Sequence, residues 1–539
     1  MKKRALLVAI LAASSFTELA RAQEQDGGEP AQQVTPPSPV PPAPEAAKPA
    51  ETTPAVPEKA KEEKTGPRLL VPRYPEDYYP GMPPEDGVLT GIPISEKHGL
   101  RFAMHGYFRA PMRITKAARP EGSTKANEGD YNWRTPYLID DDYYRSGFAY
   151  TRVQEKDFTE LYLSVGNDHL TGTIQIQGSL YSDAAQAEID RQLGVAQGYV
   201  TYRTNLGFIP WFDDVRLRVK AGAFWERYGH QPHYDTYIFA RTHQMGEQVR
   251  LEFEKDKTTV WLAHGIGTHL EDIASNQGLT LINYATTGVS YDRTIELGGY
   301  LIDTSSRDKK PLKDLTDAYL SIVGVDVRAD THYAGKVYAA TSYIKAEQAT
   351  YESPVVEVMH SYGGRGLTEN YFGTQASENG TGSMWNVGFE HNFSLADAYK
   401  TWSGEHHSPL PWNGDVELSL FGLYSFIQSK QALPNDPINN KDDRKSFKWG
   451  VDGGYRITEW MEIAARYDRV ILDVGDSANS FRIFSPRLAF FTSFLTREMI
   501  FVQYSRYMYN ERIRLRPGQV QLENIPDDHV LKIQAQMTF

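Results

Sequence analysis

From Gly99 to Thr115 two kinds of side chain alternate. His105, Tyr107, Arg109 and Arg113 occupy odd positions, whereas Met104, Phe108, Met112 and Ile114, with Gly106 and Ala110, occupy even ones. A period of two marks a strand with unlike faces, so Tyr107 and Arg109 share the polar face. An aromatic ring beside a guanidinium can stack on the apolar side of a small solute while donating charge-assisted hydrogen bonds to its polar rim. A second cluster is basic. Arg216, Arg218 and Lys220 share one face of a strand, and Arg250, Glu252 and Glu254 follow on the next. Such ladders select anions in some pores and are ordinary solvated wall in most.

Two motifs of enzyme type are weak. His230-x-x-His233 with Asp235 offers metal-ligating residue types, yet Gly229 and Pro232 deny it the helix that fixes such ligands. Gly475-Asp476-Ser477 has the residues of a hydrolase turn without the strand-to-helix setting that activates the serine. There is no phosphate loop, no dinucleotide fingerprint and no cysteine, which removes thiol catalysis, disulfides and Cys-ligated zinc. The chain reads as a non-enzyme with no catalytic residues, no metal site and no cofactor. Its net charge of -12, with no basic tract, excludes general nucleic-acid binding.

The elements that must position these residues are strands. In Val530 to Phe539, Leu531, Ile533, Ala535, Met537 and Phe539 fall on one parity, and Lys532, Gln534, Gln536 and Thr538 on the other. The same test yields 18 candidate strands, beginning at 99–115, 157–167, 168–182, 195–205, 213–227 and 246–256 and ending at 530–539. Short connections such as Asn167-Asp168, Asp256-Lys257, Asp292-Arg293 and Thr458-Glu459 alternate with long ones such as 116–156, 228–245 and 347–382. The connections near 205–212 and 394–412 break that rhythm, as longer turns or as a miscounted strand. Aromatics form 12% of the chain, with 33 tyrosines, and no apolar run reaches the roughly 18 residues of a spanning helix. The expected fold is therefore all-β: a transmembrane antiparallel barrel of about 18 strands, polar inside and apolar outside, with both termini in the periplasm. Parity is then forced, because an Arg on the lipid face costs about 2 to 4 kcal/mol, so Tyr107 and Arg109 should face the lumen.

Residues 1–22 read as a signal peptide: Lys2, Lys3 and Arg4, an apolar stretch from Ala5 to Ala13, and Ala20-Arg21-Ala22 for cleavage. Residues 23–98 hold 17 of the 31 prolines and form a Pro-rich periplasmic extension, largely disordered, serving by default as a spacer. Residues 99–539 are the barrel.

The terminal Phe539 resembles the C-terminal signal that bacterial outer-membrane barrels present to the barrel-assembly machinery. His105-Gly106-Tyr107-Phe108-Arg109, Asp157-Phe158-Thr159-Glu160-Leu161, and Ala221 to Arg227 followed by Asp235-Thr236-Tyr237 resemble the first, second and fifth strands and third loop of the maltoporin-like carbohydrate porins. That resemblance implies an 18-stranded homotrimer in the bacterial outer membrane. It also implies pore-lining, substrate-binding roles for Tyr107, Arg109, Phe158, Glu160, Arg227, Asp235 and Tyr237. Here the family's first-loop disulfide is impossible, the interval from Arg227 to Asp235 is one residue longer, and Thr538 stands where a penultimate aromatic is expected. The expected function is passive, selective diffusion of small hydrophilic solutes, oligosaccharides foremost, through a lumen narrowed by an inward-folded loop. An anion- or carboxylate-selective porin using Arg216, Arg218 and Lys220 is the alternative, and a structural or adhesive outer-membrane barrel the second.

Overall fold

The computed structural model describes residues 92–116, 157–182, 189–207, 209–227, 241–269, 278–292, 294–308, 318–331, 335–349, 380–405, 407–429, 443–471, 474–475, 480–492, 497–509, 512–513, 522–523 and 527–538. Within them run 18 long strands: β1 (Leu100–Lys116), β2 (Asp157–Gly166), β3 (Leu170–Ser182), β4 (Ile189–Asn205), β5 (Asp214–Arg227), β6 (Arg241–Lys255), β7 (Thr258–His269), β8 (Gly278–Tyr291), β9 (Ile295–Asp308), β10 (Ala318–Asp330), β11 (Lys336–Ala349), β12 (Gly380–Ser394), β13 (Asp415–Ser429), β14 (Asp443–Thr458), β15 (Met461–Ile471), β16 (Ser480–Thr492), β17 (Arg497–Tyr509) and β18 (Asp528–Thr538). Each pairs antiparallel with its sequence neighbours, and β1 pairs with both β2 and β18. The sheet is thus a closed barrel, which leaves no exposed edge among the long strands. A short strand, Ile92–Ser95, pairs with the start of β1 ahead of the expected barrel boundary.

Closure follows from the alternation. On β1, Ala103 and Tyr107 are buried while Met104 and Phe108 are exposed outside, so the forced parity holds. On β18, Lys532 and Gln534 are buried inside as the period-two pattern requires. The outer wall carries exposed Ile174, Leu262, Val323, Val387, Ile463 and Ile500. A mantle of large apolar side chains on every side of a closed barrel is a lipid-facing surface, since a water-soluble protein exposes far smaller patches.

One end carries the short turns. Asp256 and Asp292 take positive φ there, a conformation that aspartate tolerates better than most residues. The two connections that break the rhythm are longer turns. Residues 206–213 link β4 to β5, and the β12–β13 link contains helix α1 (Leu395–Ser403). Ser394 caps α1 by accepting from the Asp397 amide, and Asp415 receives both the Ser394 hydroxyl and the Ala396 amide. The strand count is therefore 18. The helix escaped the sequence reading because nine residues with one capping serine give little periodic signal.

Candidate functional site

The candidate site is the inner wall, and its first group is built where β1 meets β2. Gly106 has a φ of 155° and approaches β2 so closely that a Cβ would overlap the Glu160 carbonyl, so only glycine fits. That approach sets Tyr107 directly opposite Glu160, with the Thr159 hydroxyl donating to the Tyr107 carbonyl at 2.9 Å. Both Tyr107 and Glu160 are buried inside, and the Arg109 guanidinium lies 4.8 Å from the Tyr107 ring centre. On the other side of β1, Arg109 faces Gln536, which joins Gln534 and Thr538 in a hydrogen-bonded ladder along β18. Ring, guanidinium, carboxylate and amides thus share one stretch of wall, as a polyol-binding surface requires.

Other expected residues are placed differently. Phe158 sits where the β2–β3 register shifts between Asp157 and Thr159, a bulge that breaks simple parity. Arg227 closes β5 opposite Arg241. Asp235 and Tyr237, like His230 and His233, lie outside the described residues, as do Asp476 and Ser477.

The basic face of β5 is neutralised by neighbouring acids. Arg216 is half exposed at the turn end, bonded to Asp214 at 2.6 Å and Glu254 at 2.8 Å. Lys220 is buried, pairs with Glu226 at 2.8 Å and lies 5.0 Å from the Phe224 ring centre. Arg250 pairs with Glu252 at 2.7 Å. Arg218 is buried and stands in register between Arg203 and Arg250. With Arg216, Lys220 and Arg250 each paired to a carboxylate, most of the positive charge of this face is balanced locally.

A larger charged group lies on β14 to β16, which sequence reading passed over. Arg466 grips Asp468 through two hydrogen bonds of 2.8 and 2.7 Å. Arg487 reaches Asp452 at 3.2 Å and Glu462 at 3.8 Å, and Glu462 also meets Arg456 at 3.6 Å. Asp452 is fully buried and Arg466 is 1% exposed. The signal was present as Arg466-x-Asp468 and Asp452-x-x-x-Arg456 on single faces, but charges of mixed sign at strand spacing resemble a solvated wall.

Opposite in character is a row on β8 to β13. Tyr284, Ile302, Ile322, Ile344, Met384 and Ile427 lie side by side in register, all directed inward and buried. The adjacent row is polar, with Asn386 donating to Ser342 at 3.1 Å and accepting from Ser425 at 2.6 Å. Several inner aromatics lie flat against glycines directly opposite: Tyr284 on Gly265, Tyr300 on Gly324, Trp261 on Gly288 and Phe421 on Gly450. A methyl group at any of these glycines would overlap the ring. Rings held flat form part of the wall, and Tyr284 is fixed further by Gln244 and Gln248, which donate to its hydroxyl at 2.9 and 3.0 Å.

No protein-family model and no curated protein matches the chain. Solved structures similar to it include the outer membrane channel DcaP of Acinetobacter baumannii, 11% identical over 84% of this chain and 100% of that one, with a TM-score of 0.39. OmpT of Vibrio cholerae is 8% identical over 84% of this chain and 100% of its own, with a TM-score of 0.36. OccK2 of Pseudomonas aeruginosa is 10% identical over 81% and 98%, with a TM-score of 0.36. Superpositions at this level carry no inference about solute or assembly.

Proposed function

We propose that the barrel is a porin of the bacterial outer membrane that passes small hydrophilic solutes by diffusion, with oligosaccharides the preferred class. The observation that supports this best is the difference between the walls: large apolar residues cover the outside, while the inside, beyond the apolar row from Tyr284 to Ile427, is rich in hydrogen-bonding and ionic groups. In this reading the short turns face the periplasm, the long connections face outward, and the Pro-rich arm is a periplasmic spacer. Tyr107 supplies a ring, Arg109 and Glu160 hold hydroxyls, and the 228–240 connection narrows the pore with Asp235 and Tyr237 beside Arg227. The pairing of lumenal acids with bases supports a neutral polar solute over an anion. We extend the reading to a homotrimer delivered by the barrel-assembly machinery through β18 and Phe539. Vesicles loaded with the refolded protein should swell in sugars at rates that fall with sugar size, and equal rates with empty vesicles would reject the proposal.

The second reading is a structural or adhesive barrel. It is favoured by the withdrawal of inward side chains such as Ile302, Met384 and Asp452 from solvent, which speaks for a narrow lumen. Absence of any conductance would select it.

A further inference from the structure

Two arginines stand on the wrong wall. Arg469 of β15 and Arg482 of β16 face outward and lie directly opposite each other in the ladder. Like charges directly opposite across a strand pair are destabilising. Neither has a carboxylate partner among the described residues, although the Arg469 Nη2 donates to the Ser480 hydroxyl at 2.9 Å, which orients its guanidinium. The neighbouring outward Arg506 is different, since Asp527 neutralises it at 2.5 Å.

The height of the pair on the barrel indicates what it meets. At the turn end, Trp460 stacks on the outward ring of Phe490, with centres 6.3 Å apart and planes 12° apart, as interfacial aromatics do. Met461 pairs with Phe490, and Arg469 pairs with Arg482 eight residues further along both strands. At about 3.3 Å per residue and a tilt of about 40°, that interval spans roughly 20 Å of barrel axis, close to the height of about 25 Å of a lipid-facing band. Between the two levels the outward residues are Ile463, Ala465 and Tyr467 on β15 and Phe484, Pro486 and Leu488 on β16. Beside Arg469, Trp449 lies in register and packs against Tyr467 with ring centres 5.6 Å apart, forming the aromatic margin at the loop end. The guanidinium pair therefore sits at head-group level, where its stems cover apolar wall and its charges reach the polar layer.

We propose that Arg469 and Arg482 form a binding site for an anionic phosphomonoester on a lipid head group in the leaflet at the loop end, as distinct from the zwitterionic phosphodiester of phosphatidylcholine. A phosphate between two guanidiniums converts like-charge repulsion into charge-assisted, forked hydrogen bonds, while the acyl chains lie along Ile463, Tyr467 and Phe484. The site rests on the membrane reading but is independent of the solute.

The test is native mass spectrometry of the full chain in detergent micelles, with a diphosphorylated glycolipid, phosphatidylcholine and inorganic phosphate offered separately. The wild type should retain the diphosphorylated glycolipid, and R469Q/R482Q should retain it about tenfold less well or worse, the loss of at least one charge-assisted contact. R469K/R482K should fall between, and R506Q should match the wild type. Equal retention by R469Q/R482Q in a barrel that still shows heat-modifiable migration would overturn the site. So would equal retention of phosphatidylcholine, or displacement of the lipid by inorganic phosphate at matching concentration. A chain that enters no vesicle of any composition would instead defeat the membrane reading itself.

Discussion

Replacing Arg487 by Met distinguishes a lumenal charge network removed from water from one that is merely solvated wall. Arg487 reaches both Asp452, at 3.2 Å, and Glu462, at 3.8 Å, and the side chains are 5%, 0% and 1% exposed. Methionine keeps much of the stem volume and removes the charge, so packing loss is small and two carboxylates lose their shared partner. Breaking a buried pair from one side costs about 3 to 5 kcal/mol, whereas an exposed pair is worth at most about 1 kcal/mol. Burial this deep places Arg487→Met in the first range. The assay is guanidinium unfolding of the refolded barrel in detergent micelles, followed by tryptophan fluorescence. The double variant D452N/R487M should recover part of the loss, with a coupling of about 0.5 to 3 kcal/mol between the sites. A loss under about 1 kcal/mol for Arg487→Met would refute the reasoning, because it would place these carboxylates in open water.

Further consequences concern the two walls. Ile463→Arg places a charge on the outer face and should cost about 2 to 4 kcal/mol for the barrel folded into lipid vesicles; a change within about 0.5 kcal/mol, as at an ordinary wet surface, would mean that this face meets no lipid. Gly265→Ala should displace the Tyr284 ring and cost about 1 to 3 kcal/mol through overpacking, read as a lowered unfolding midpoint. Adding Tyr284→Phe should not relieve it, since the overlap lies mainly with the ring. Tyr107→Ala and Glu160→Gln should each weaken block of conductance by maltooligosaccharides about tenfold, the loss of one stacking or charge-assisted contact. Unchanged block in both would remove this group from the solute path.

Much of the fold was legible in the sequence because closure imposes a period of two on the strands, and β1 and β18 display it with Ala103 and Val530 as apolar exceptions on their inner faces. Boundaries drifted where loop-end residues continue the ladder without an apolar pattern: β4 begins at Ile189 and β6 at Arg241, several residues before the alternation becomes clear. Tyr107 and Arg109 were legible because strand parity places them on the inner wall, whereas Glu160 was legible only through the resemblance of Asp157 to Leu161 to the second strand of the maltoporin-like porins. The ion network was not, since Asp452, Glu462, Arg466 and Arg487 come from three strands and only tertiary register joins them. The flat aromatics were equally hidden, because a glycine opposite a ring is a property of two strands together. Arg469 and Arg482 violate the parity rule that fixed the rest, and that violation gives them their meaning.

The central claim is that the barrel conducts and that its inner wall binds sugar weakly. Single-channel recording of the purified protein in a planar bilayer, titrated with maltooligosaccharides and then with small anions, tests it most directly. A sugar-passing barrel should give stepwise openings, weak charge selectivity, and block that rises with sugar concentration and relaxes when Tyr107 is removed. A membrane that stays silent in the presence of inserted, folded protein would contradict it.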